Sequence, residues 1–473
     1  MFRSALMLLS GNAATSLVLL TRNLLIARLI SVEDYGIAAT FAIAMSVVEM
    51  ASALGMEQQI VQSKRGDDPD FQAALQGFTA LRGLASFGLL FATAGLMADF
   101  LGVPDLAWAY QMMALVPLIR GFEHFDNFRY RRTMRFGPSL WNGFGSAVIA
   151  VIVIVPVYLV YPDYRVMLAS LLVQAVVSTS LTHFFASRPY RLRFDVATWT
   201  GSTRFGWPLL LNGILLFAVM HGEKLVAGRV LGLEALGILA MGLTLTMTPT
   251  LVLARSMQTL FLPKLSAAQD DDAAFQRLAE VVIEAVLAAT LAYLLAMTLL
   301  GGPLVLLLLD EKFAALPPLM ALLAVQQTLR VFKTGGSVVA LARGQTTNAM
   351  IANLLRVASV PIAAWVAVEG GGLVGVVTVA TVGEAAGFVV SLFLIRLRLR
   401  VSLRHLALPV AVSLGITGVA AYIAWHVPPE AAGRLPGGTE TLIMCGAVLV
   451  ALTTMKQLRT YLLRRGLSRI AAS

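Results

Sequence analysis

Charged residues are scarce in this chain. Only 13% of its 473 residues are Asp, Glu, Lys or Arg, whereas soluble domains carry about 25%. Polar stretches long enough to form a soluble domain are also missing between the apolar runs. With 58% hydrophobic residues and a mean hydropathy of +0.80, the composition excludes a soluble globular protein and predicts an integral membrane protein.

Cysteine and histidine are nearly as rare. The single cysteine, Cys445, excludes a disulfide or a cysteine-based metal site within one chain, and the five histidines lack ligand spacing. We therefore expect no metal site, no catalytic residues and no enzyme activity. The net charge of +10 is spread along the chain and not gathered on a soluble module, so no nucleic-acid partner is expected.

Apolar windows of about 20 residues follow one another along the chain, each long enough to cross a hydrocarbon core about 30 Å thick. They predict an all-α integral membrane protein with about fourteen transmembrane helices. The predicted helices lie near residues 5–30, 36–62, 73–98, 106–122, 138–160, 166–186, 206–231, 235–262, 275–300, 316–340, 347–368, 373–395, 407–427 and 440–455.

The basic residues predict the topology. The N-terminus, the even-numbered connections and the C-terminal tail hold 24 of the 36 Lys and Arg residues. The odd-numbered connections hold only Arg165, Lys312 and Arg434. Because positive charge accumulates on the cytoplasmic side, both termini are expected in the cytoplasm. The other nine basic residues lie within predicted helices, where charge requires water or a partner.

A hairpin pattern occurs twice in the chain. The stretch "LLIARLISVEDYGIAA" from Leu24 is echoed by "KLVAGRVLGLEALGILA" from Lys224. The equivalent residues are 201 positions apart: Arg28 and Arg229, Glu33 and Glu234, Gly36 and Gly237. We interpret this hairpin as architectural, with each arginine reaching the interface and pairing with its glutamate; direct substrate contact is the alternative.

A second echo joins "DDPDFQAAL" before helix three to "DDDAAFQRL" before helix nine. The two echoes predict two pseudo-symmetric six-helix lobes, 1–200 and 201–400. Residues 401–473 add helices thirteen and fourteen and a basic tail. Parallel repeats of this kind place a substrate site between the lobes near mid-depth.

The opening hairpin resembles the polysaccharide transporter (Wzx-type flippase) family of the multidrug/oligosaccharidyl-lipid/polysaccharide superfamily. Val32 departs from the proline usual in that family. The resemblance is sharp over about the first 65 residues and architectural over the rest. The matching residues are Ala27, Arg28, Leu29, Ser31, Glu33, Asp34, Tyr35, Gly36, Gly55, Ile60, Val61 and Gln62.

This resemblance implies a flippase in a bacterial inner membrane. It would move an undecaprenyl-pyrophosphate-linked oligosaccharide from the cytoplasmic to the periplasmic leaflet by alternating access, for exopolysaccharide, O-antigen or capsule synthesis. Membrane lipids are expected partners, and a polysaccharide polymerase and a chain-length regulator are further ones. No cofactor is expected apart from H⁺ or Na⁺ as a coupling ion.

Seven cations within the helices form the predicted pyrophosphate site. Arg330 and Lys333 lie three residues apart on one helix face, and arginine offers planar bidentate donors to phosphate. In the alternative reading, intramembrane acids pair with these cations and only pin helices together. The seven are Arg22, Arg82, Lys224, Arg255, Arg330, Lys333 and Arg356.

Three intramembrane acids have a second predicted role. Glu49, Glu284 and Glu384 are candidates for H⁺ or Na⁺ coupling, because a buried carboxylate has a raised pKa. Prolines at 117, 156, 249 and 361 are expected to interrupt helices four, five, eight and eleven and to supply bending capacity.

Other functions remain open from the sequence. A lipid II flippase also has fourteen helices and a cationic cavity, and a multidrug or cation antiporter of the same superfamily has acidic cavity residues. A membrane-embedded polysaccharide polymerase or ligase is the alternative of a different class. Its chemistry needs a sizeable outer loop, whereas the longest predicted outer connections hold about fifteen residues with one basic residue each.

Overall fold

In the computed structural model the chain is built from helices. The structure describes residues 2–51, 55–133, 135–345, 347–426, 434 and 437–470, and every regular element in these ranges is helical. The chain divides into two compact units, Met1–Ala240 (unit 1) and Met241–Ser473 (unit 2). The predicted lobe boundaries at 200 and 400 follow the repeat and stay a prediction.

Unit 1 contains eleven numbered helices and the first turns of a twelfth. A 3₁₀ turn at Pro104–Leu106 precedes α5, and a π-helical turn at Ala227–Leu231 follows α11. The helices are α1 Phe2–Leu29, α2 Val32–Ala51, α3 Met56–Gln62, α4 Pro69–Phe100, α5 Ala107–Met113, α6 Leu115–Gly121, α7 Asp126–Arg132, α8 Gly137–Ile152, α9 Ile154–Tyr158, α10 Arg165–Phe184, α11 Val196–Val226 and α12 Leu233–Ala267.

Unit 2 contains the rest of α12 and eight further helices. A buried core of aliphatic and aromatic side chains joins α13, α14, α17 and the last helices. The helices are α13 Asp272–Leu309, α14 Pro317–Ala342, α15 Thr347–Val357, α16 Ser359–Val368, α17 Gly372–Leu399, α18 Ala407–His426, α19 Gly438–Thr454 and α20 Lys456–Ile470.

The predicted helices are confirmed in position. Each of the fourteen predicted segments coincides, within the described ranges, with one helix or with a pair of consecutive helices. Eight of the described spans are long and apolar enough to cross a membrane, or nine if the bent pair of α19 and α20 counts as one. The all-α membrane fold is therefore as expected, whereas the short helix α7 and the C-terminal helix α20 were not predicted.

Three of the four prolines break their helices. In each case the break falls three residues before the proline, because proline lacks an N–H donor and its ring crowds the preceding turn. The breaks separate α5 from α6 before Pro117, α8 from α9 before Pro156, and α15 from α16 before Pro361.

The expectation for Pro249 was wrong, since α12 runs through it without a break. Hydroxyl groups bond to the backbone carbonyls around this proline. Thr248 Oγ1 donates to the Thr244 carbonyl at 2.7 Å, and Tyr293 Oη donates to the Thr246 carbonyl at 3.0 Å. The carbonyl that lacks its N–H partner because of Pro249 is that of Leu245, so these bonds flank the proline and do not replace the missing bond.

The second echo marks equivalent helix starts. Asp68 precedes α4 and accepts a hydrogen bond from the N–H of Asp70 at 3.0 Å. Asp271 precedes α13 and accepts from the N–H groups of Ala273 and Ala274 at 3.0 and 2.9 Å. Both are N-caps, which satisfy N–H groups that lack partners within the helix. The repeated acidic sequence therefore begins the same helix of each repeat.

The glycines of the repeated hairpins, Gly36 and Gly237, face each other within unit 1. A methyl group on Gly36 would overlap the carbonyl oxygen of Leu233 and lie 3.3 Å from the nitrogen of Gly237. A methyl group on Gly237 would overlap the carbonyl of Val32 and lie 3.1 Å from the nitrogen of Gly36. The glycines therefore let the first turns of α2 and α12 touch backbone to backbone.

Candidate functional site

A cluster of charged side chains lies inside unit 2, where α14, α15 and α17 pack together. Arg330 Nε donates to Glu384 Oε1 at 2.7 Å, and Arg356 Nη2 donates to the same oxygen. Lys333 Nζ and Arg356 Nη1 each donate to Asn353 Oδ1 at 2.9 Å. We call these five residues the Glu384 cluster.

Small residues on α17 make room for the cluster. Gly383 and Gly387 lie four residues apart on either side of Glu384, in the small-xxx-small pattern that allows close helix packing in membranes. A methyl group on Gly387 would lie 3.0 Å from Cγ of Arg356, and one on Gly383 would lie 2.7 Å from Oγ of Ser359. The side chain of Arg356 therefore lies against α17 and reaches the carboxylate.

The cluster is buried and polar. Lys333, Arg356 and Glu384 are buried, and Arg330 also contacts Met247 Sδ at 3.5 Å. Three basic groups and one carboxylate give these side chains a formal charge of +2. One turn before Arg330, Gln327 is buried and neither of its amide atoms has a hydrogen-bond partner among the described residues. A polar ligand or water is therefore the natural complement of this region.

Unit 1 holds a second polar site, a cavity of about 290 Å³. Two arginines and three glutamates line it: Arg82 from α4, Arg120 from α6, and Glu49, Glu57 and Glu123. Arg120 pairs with Glu49. This unit 1 cavity combines opposite charges at close range, in contrast to the net positive charge of the Glu384 cluster.

Glu123 lies in the connection after α6 and faces the unit 1 cavity. Burial raises the pKa of the Glu123 carboxyl to about 7, against the opposing effect of Arg120. A carboxyl group with this pKa exchanges a proton near neutral pH. The unit 1 cavity can therefore change charge within the physiological range.

A buried aspartate holds the loops next to this cavity. Asp126, at the start of α7, accepts hydrogen bonds from Arg129 Nε at 2.7 Å and from the N–H groups of Ser187 and Arg188 at 2.8 and 3.0 Å. Gln72 Nε2 also donates to it, at 3.1 Å. Burial alone would raise the pKa of Asp126, but Arg129 and the N–H groups of Ser187 and Arg188 hold this pKa well below its usual range.

The other predicted cations are neither members of the Glu384 cluster nor among the residues that line the unit 1 cavity. Arg22 on α1 donates to Gln174 Oε1 on α10 at 2.7 Å. Lys224 lies on α11 and is half-buried, and Arg255 lies exposed on α12. The structure thus brings together Arg330, Lys333 and Arg356 and places Arg82 in the unit 1 cavity, and the grouping of all seven cations stays a prediction.

The predicted acids divide among three places. Glu49 lines the unit 1 cavity and Glu384 holds the cations of unit 2. Glu284, on α13, accepts a hydrogen bond through Oε2 from the N–H of Leu458 in α20 at 2.7 Å. Their roles in ion coupling stay a prediction.

The hairpin residues lie where the two helices turn. Arg28 is the penultimate residue of α1, and Ser31 caps α2, since the Asp34 N–H donates to Ser31 Oγ at 3.0 Å. Arg229 lies with its guanidinium carbon 5.6 Å from the centre of the Phe100 ring. Glu33 and Glu234 lie exposed in the first turns of α2 and α12, and the predicted ion pairs stay a prediction.

Sequence reasoning missed several residues of both sites. Arg120 was counted only among the basic residues at the end of the predicted helix 106–122, and Glu123 was not singled out, because hydropathy does not reveal that α6 ends beside a cavity. Asn353, which bridges Lys333 and Arg356, carries no charge to stand out in an apolar helix. Its spacing of three residues from Arg356 was the available signal.

Long apolar helices with charged side chains buried among them define a multi-pass membrane protein. The family described as "Polysaccharide biosynthesis protein" matches residues 25–318, more than half of the sequence, and the chain belongs to this family. No curated protein matches the chain at a significant level.

Solved transporters share the fold. The lipid II flippase MurJ in an inward closed conformation is similar at a TM-score of 0.72 and 14% identity, covering 97% of this chain and 99% of that one. An inward-facing multidrug resistance MATE family transporter is similar at a TM-score of 0.68 and 16% identity, covering 82% of this chain and 94% of that one.

Proposed function

We propose that this protein is a flippase that moves an undecaprenyl-pyrophosphate-linked oligosaccharide from the cytoplasmic to the periplasmic leaflet of a bacterial inner membrane. The product would supply exopolysaccharide, O-antigen or capsule synthesis. Family membership in polysaccharide biosynthesis and the transporter fold support this proposal. Both termini would lie in the cytoplasm, as the distribution of basic residues indicates.

The observation that carries the proposal is the Glu384 cluster. Its side chains carry a formal charge of +2 inside an apolar unit, and charge buried in this way calls for an anionic complement. A pyrophosphate supplies several negatively charged oxygens, and the guanidinium groups of Arg330 and Arg356 can each bind two of them. Glu384 would hold both guanidinium groups in place until the substrate arrives.

Ion coupling is a further part of the proposal. Glu384 accepts hydrogen bonds from two arginines, and an arriving pyrophosphate would compete with it for them. Glu49 lies in the unit 1 cavity with Glu123, whose pKa is raised to about 7. These contacts favour H⁺ as the coupling ion, and dependence of transport on a Na⁺ gradient alone would contradict it.

Helix breaks would provide the movement for alternating access. Pro117, Pro156 and Pro361 each interrupt a helix, and Pro361 follows directly on the helix that carries Arg356. A break at this point lets α15 and α16 change their angle while the ends of both helices stay anchored. The cationic site could then be open to the cytoplasm in one state and to the periplasm in the other.

A lipid II flippase is the second candidate. The solved structure of MurJ matches 97% of this chain, including the last helices, whereas the MATE structure matches 82%. This favours a lipid-linked glycan carrier over a multidrug or cation antiporter. Both solved relatives are transporters, which argues against a polymerase or ligase.

A deletion strain tests the proposed function. We expect full-length polyprenyl-linked repeat units to accumulate facing the cytoplasm and surface polysaccharide to be lost. The native gene should restore both. The double variant Arg330→Gln/Lys333→Gln should restore neither, even when it is present at the level of the wild-type protein. Lys312→Gln/Arg434→Gln, which removes two exposed basic charges, should restore both.

Three results would give different answers. Normal polysaccharide with altered drug sensitivity would replace the flippase with an antiporter. Accumulation of lipid II and cell lysis would point to the lipid II flippase. Accumulation of repeat units facing the periplasm would indicate a polymerase or ligase.

A further inference from the structure

The last two helices meet at a sharp angle. The apolar helix α19 ends at Thr454, and α20 begins at Lys456 and turns away by 75°. From Lys456 to the end, the sequence holds five basic residues and no acidic one. A basic helix that bends this sharply at the end of an apolar span has the sequence and geometry typical of a helix at a membrane surface.

Contacts with α13 fix the start of α20. The Glu284 carboxylate accepts the N–H of Leu458, an otherwise unbonded group in the first turn of α20. Tyr461, one turn later, accepts a hydrogen bond from Lys264 Nζ at 3.4 Å through its hydroxyl oxygen. Leu458 and Tyr461 also pack against the hydrophobic core of unit 2. The helix is therefore docked on unit 2 through its first two turns.

A cleft of about 230 Å³ lies between α13 and α20. Arg277 and Gln457 contribute a guanidinium group and an amide, both of which can donate hydrogen bonds to phosphate oxygens, and Thr460, whose hydroxyl donates to the Lys456 carbonyl at 2.9 Å, also lines the cleft. Leu278 and Val281 form an apolar wall beside them. A cleft with donors on one side and aliphatic carbon on the other matches a phosphate headgroup joined to acyl chains.

The surroundings of this cleft add positive charge and exposed apolar surface. Lys264 lies beside Tyr461. Lys456, the first residue of α20, and Arg459, three residues later, are both exposed. Leu462 and Leu463 are 58% and 61% exposed just beyond them. Basic residues next to exposed leucines are typical of a helix that binds an anionic lipid surface.

We propose that α20 and the start of α13 form a binding site for an anionic phospholipid, with Arg277 as a ligand of its phosphate. Glu284 is a positioning residue that holds α20 over the cleft. The lipid would occupy the cleft at the membrane surface, apart from the Glu384 cluster. The site does not depend on the transported substrate.

Lipid retention by the full-length protein tests the proposal. Delipidated protein in detergent is mixed with phosphatidylglycerol or with phosphatidylcholine, and bound lipid is counted by native mass spectrometry. We expect the wild-type protein to retain more phosphatidylglycerol than phosphatidylcholine. Arg277→Gln should bind it about fivefold more weakly, the effect of one basic residue at an anionic surface.

The matched control is Arg434→Gln, which removes one exposed arginine from the connection at the other end of α19 and should bind lipid as the wild type does. Glu284→Gln should weaken phosphatidylglycerol binding and speed amide exchange in residues 456–463. If Arg277→Gln does not fold, Gln457→Met, which removes the amide donor at similar side-chain length, should show a smaller loss.

Two outcomes overturn the proposal. One is equal retention of both lipids by the wild type, or unchanged phosphatidylglycerol binding in folded Arg277→Gln. The other is displacement of the bound lipid by an equal concentration of inorganic phosphate, which would assign the cleft to free anions. Retention in the presence of phosphate supports the lipid.

Discussion

Glu384 is the residue on which the unit 2 site depends. Its carboxylate is buried and accepts hydrogen bonds from two arginines. Lys333 is linked to one of them, Arg356, because both donate to the side-chain oxygen of Asn353. A buried carboxylate loses its hydration and needs such partners, and the basic groups need the carboxylate in turn. The same contacts serve both structure and the proposed substrate binding.

Replacing this carboxylate should therefore destabilise the protein. In Glu384→Gln the guanidinium groups of Arg330 and Arg356 stay buried without their anion, which costs about 3–5 kcal/mol. Asp272→Asn is the control, because its carboxylate also pairs with an arginine but is 93% exposed. It should cost less than about 1 kcal/mol. Thermal unfolding in detergent measures both, and equal losses would contradict the account.

Glu123 should make stability depend on pH. Its pKa is about 7 in the folded protein and near 4.5 when unfolded, so the folded state keeps a proton that the unfolded state loses. The free energy of unfolding should fall as the pH rises from about 4.5 to about 7, and it should stay level above pH 7. Unfolding temperatures at pH 5 and pH 8 should differ less in Glu123→Gln than in the wild type. An unchanged difference would show that Glu123 is not the group responsible.

Sequence reasoning found the residues that stand out by charge. Arg330, Lys333 and Glu384 interrupt apolar windows, and the three-residue spacing of Arg330 and Lys333 indicates that these two share a helix face. Asn353 and Glu123 were missed, because a neutral amide and a carboxyl in a connection have no unusual sequence context. Their roles arise from packing between distant helices.

At the level of helices, local chemistry explains most boundaries. Proline breaks α5–α6, α8–α9 and α15–α16, and aspartate caps start α4 and α13. The exception is Pro249, where hydroxyl groups from α12 and from Tyr293 bond to neighbouring carbonyls. Proline is tolerated within membrane helices, so its presence alone does not predict a break.

The facing glycines give a test at this scale. Gly36→Ala should destabilise the protein strongly, because the added methyl group overlaps a backbone carbonyl that cannot move aside. Gly88→Ala is the control, since no atom lies within 4 Å of the added methyl group. That change should be neutral or stabilise α4 by up to about 1 kcal/mol. Folded yield and unfolding temperature measure both, and a stable Gly36→Ala protein would refute the close contact.

Helix α20 was missed because its basic sequence reads as a charged tail. The charges indicate a cytoplasmic segment but do not show whether it is ordered. Its docking depends on Glu284, which sequence reasoning had considered only for ion coupling and for helix pairing. The two kinds of role can be separated by comparing lipid binding with transport in Glu284→Gln.

For the whole molecule, hydropathy and the repeat predicted the fold well. Fourteen apolar segments and two echoes are properties of the sequence alone, and the family match and solved transporters agree with them. Hydropathy cannot predict which cations meet, because that depends on how helices from distant parts of the chain pack. Each unit contains a polar site of its own, the unit 1 cavity and the Glu384 cluster, and the grouping of all seven cations stays a prediction.

Transport by purified protein tests the central claim most directly. Vesicles containing the protein are prepared with a labelled polyprenyl-pyrophosphate oligosaccharide in one leaflet, and an impermeant glycosidase reports its arrival in the other. Wild-type protein should move the lipid, Lys312→Gln/Arg434→Gln should match it, and folded Arg330→Gln/Lys333→Gln should be at least about tenfold slower, the loss expected for charge-assisted hydrogen bonds. Transport at the wild-type rate by folded Arg330→Gln/Lys333→Gln would contradict the account. No transport by the native protein would also contradict it.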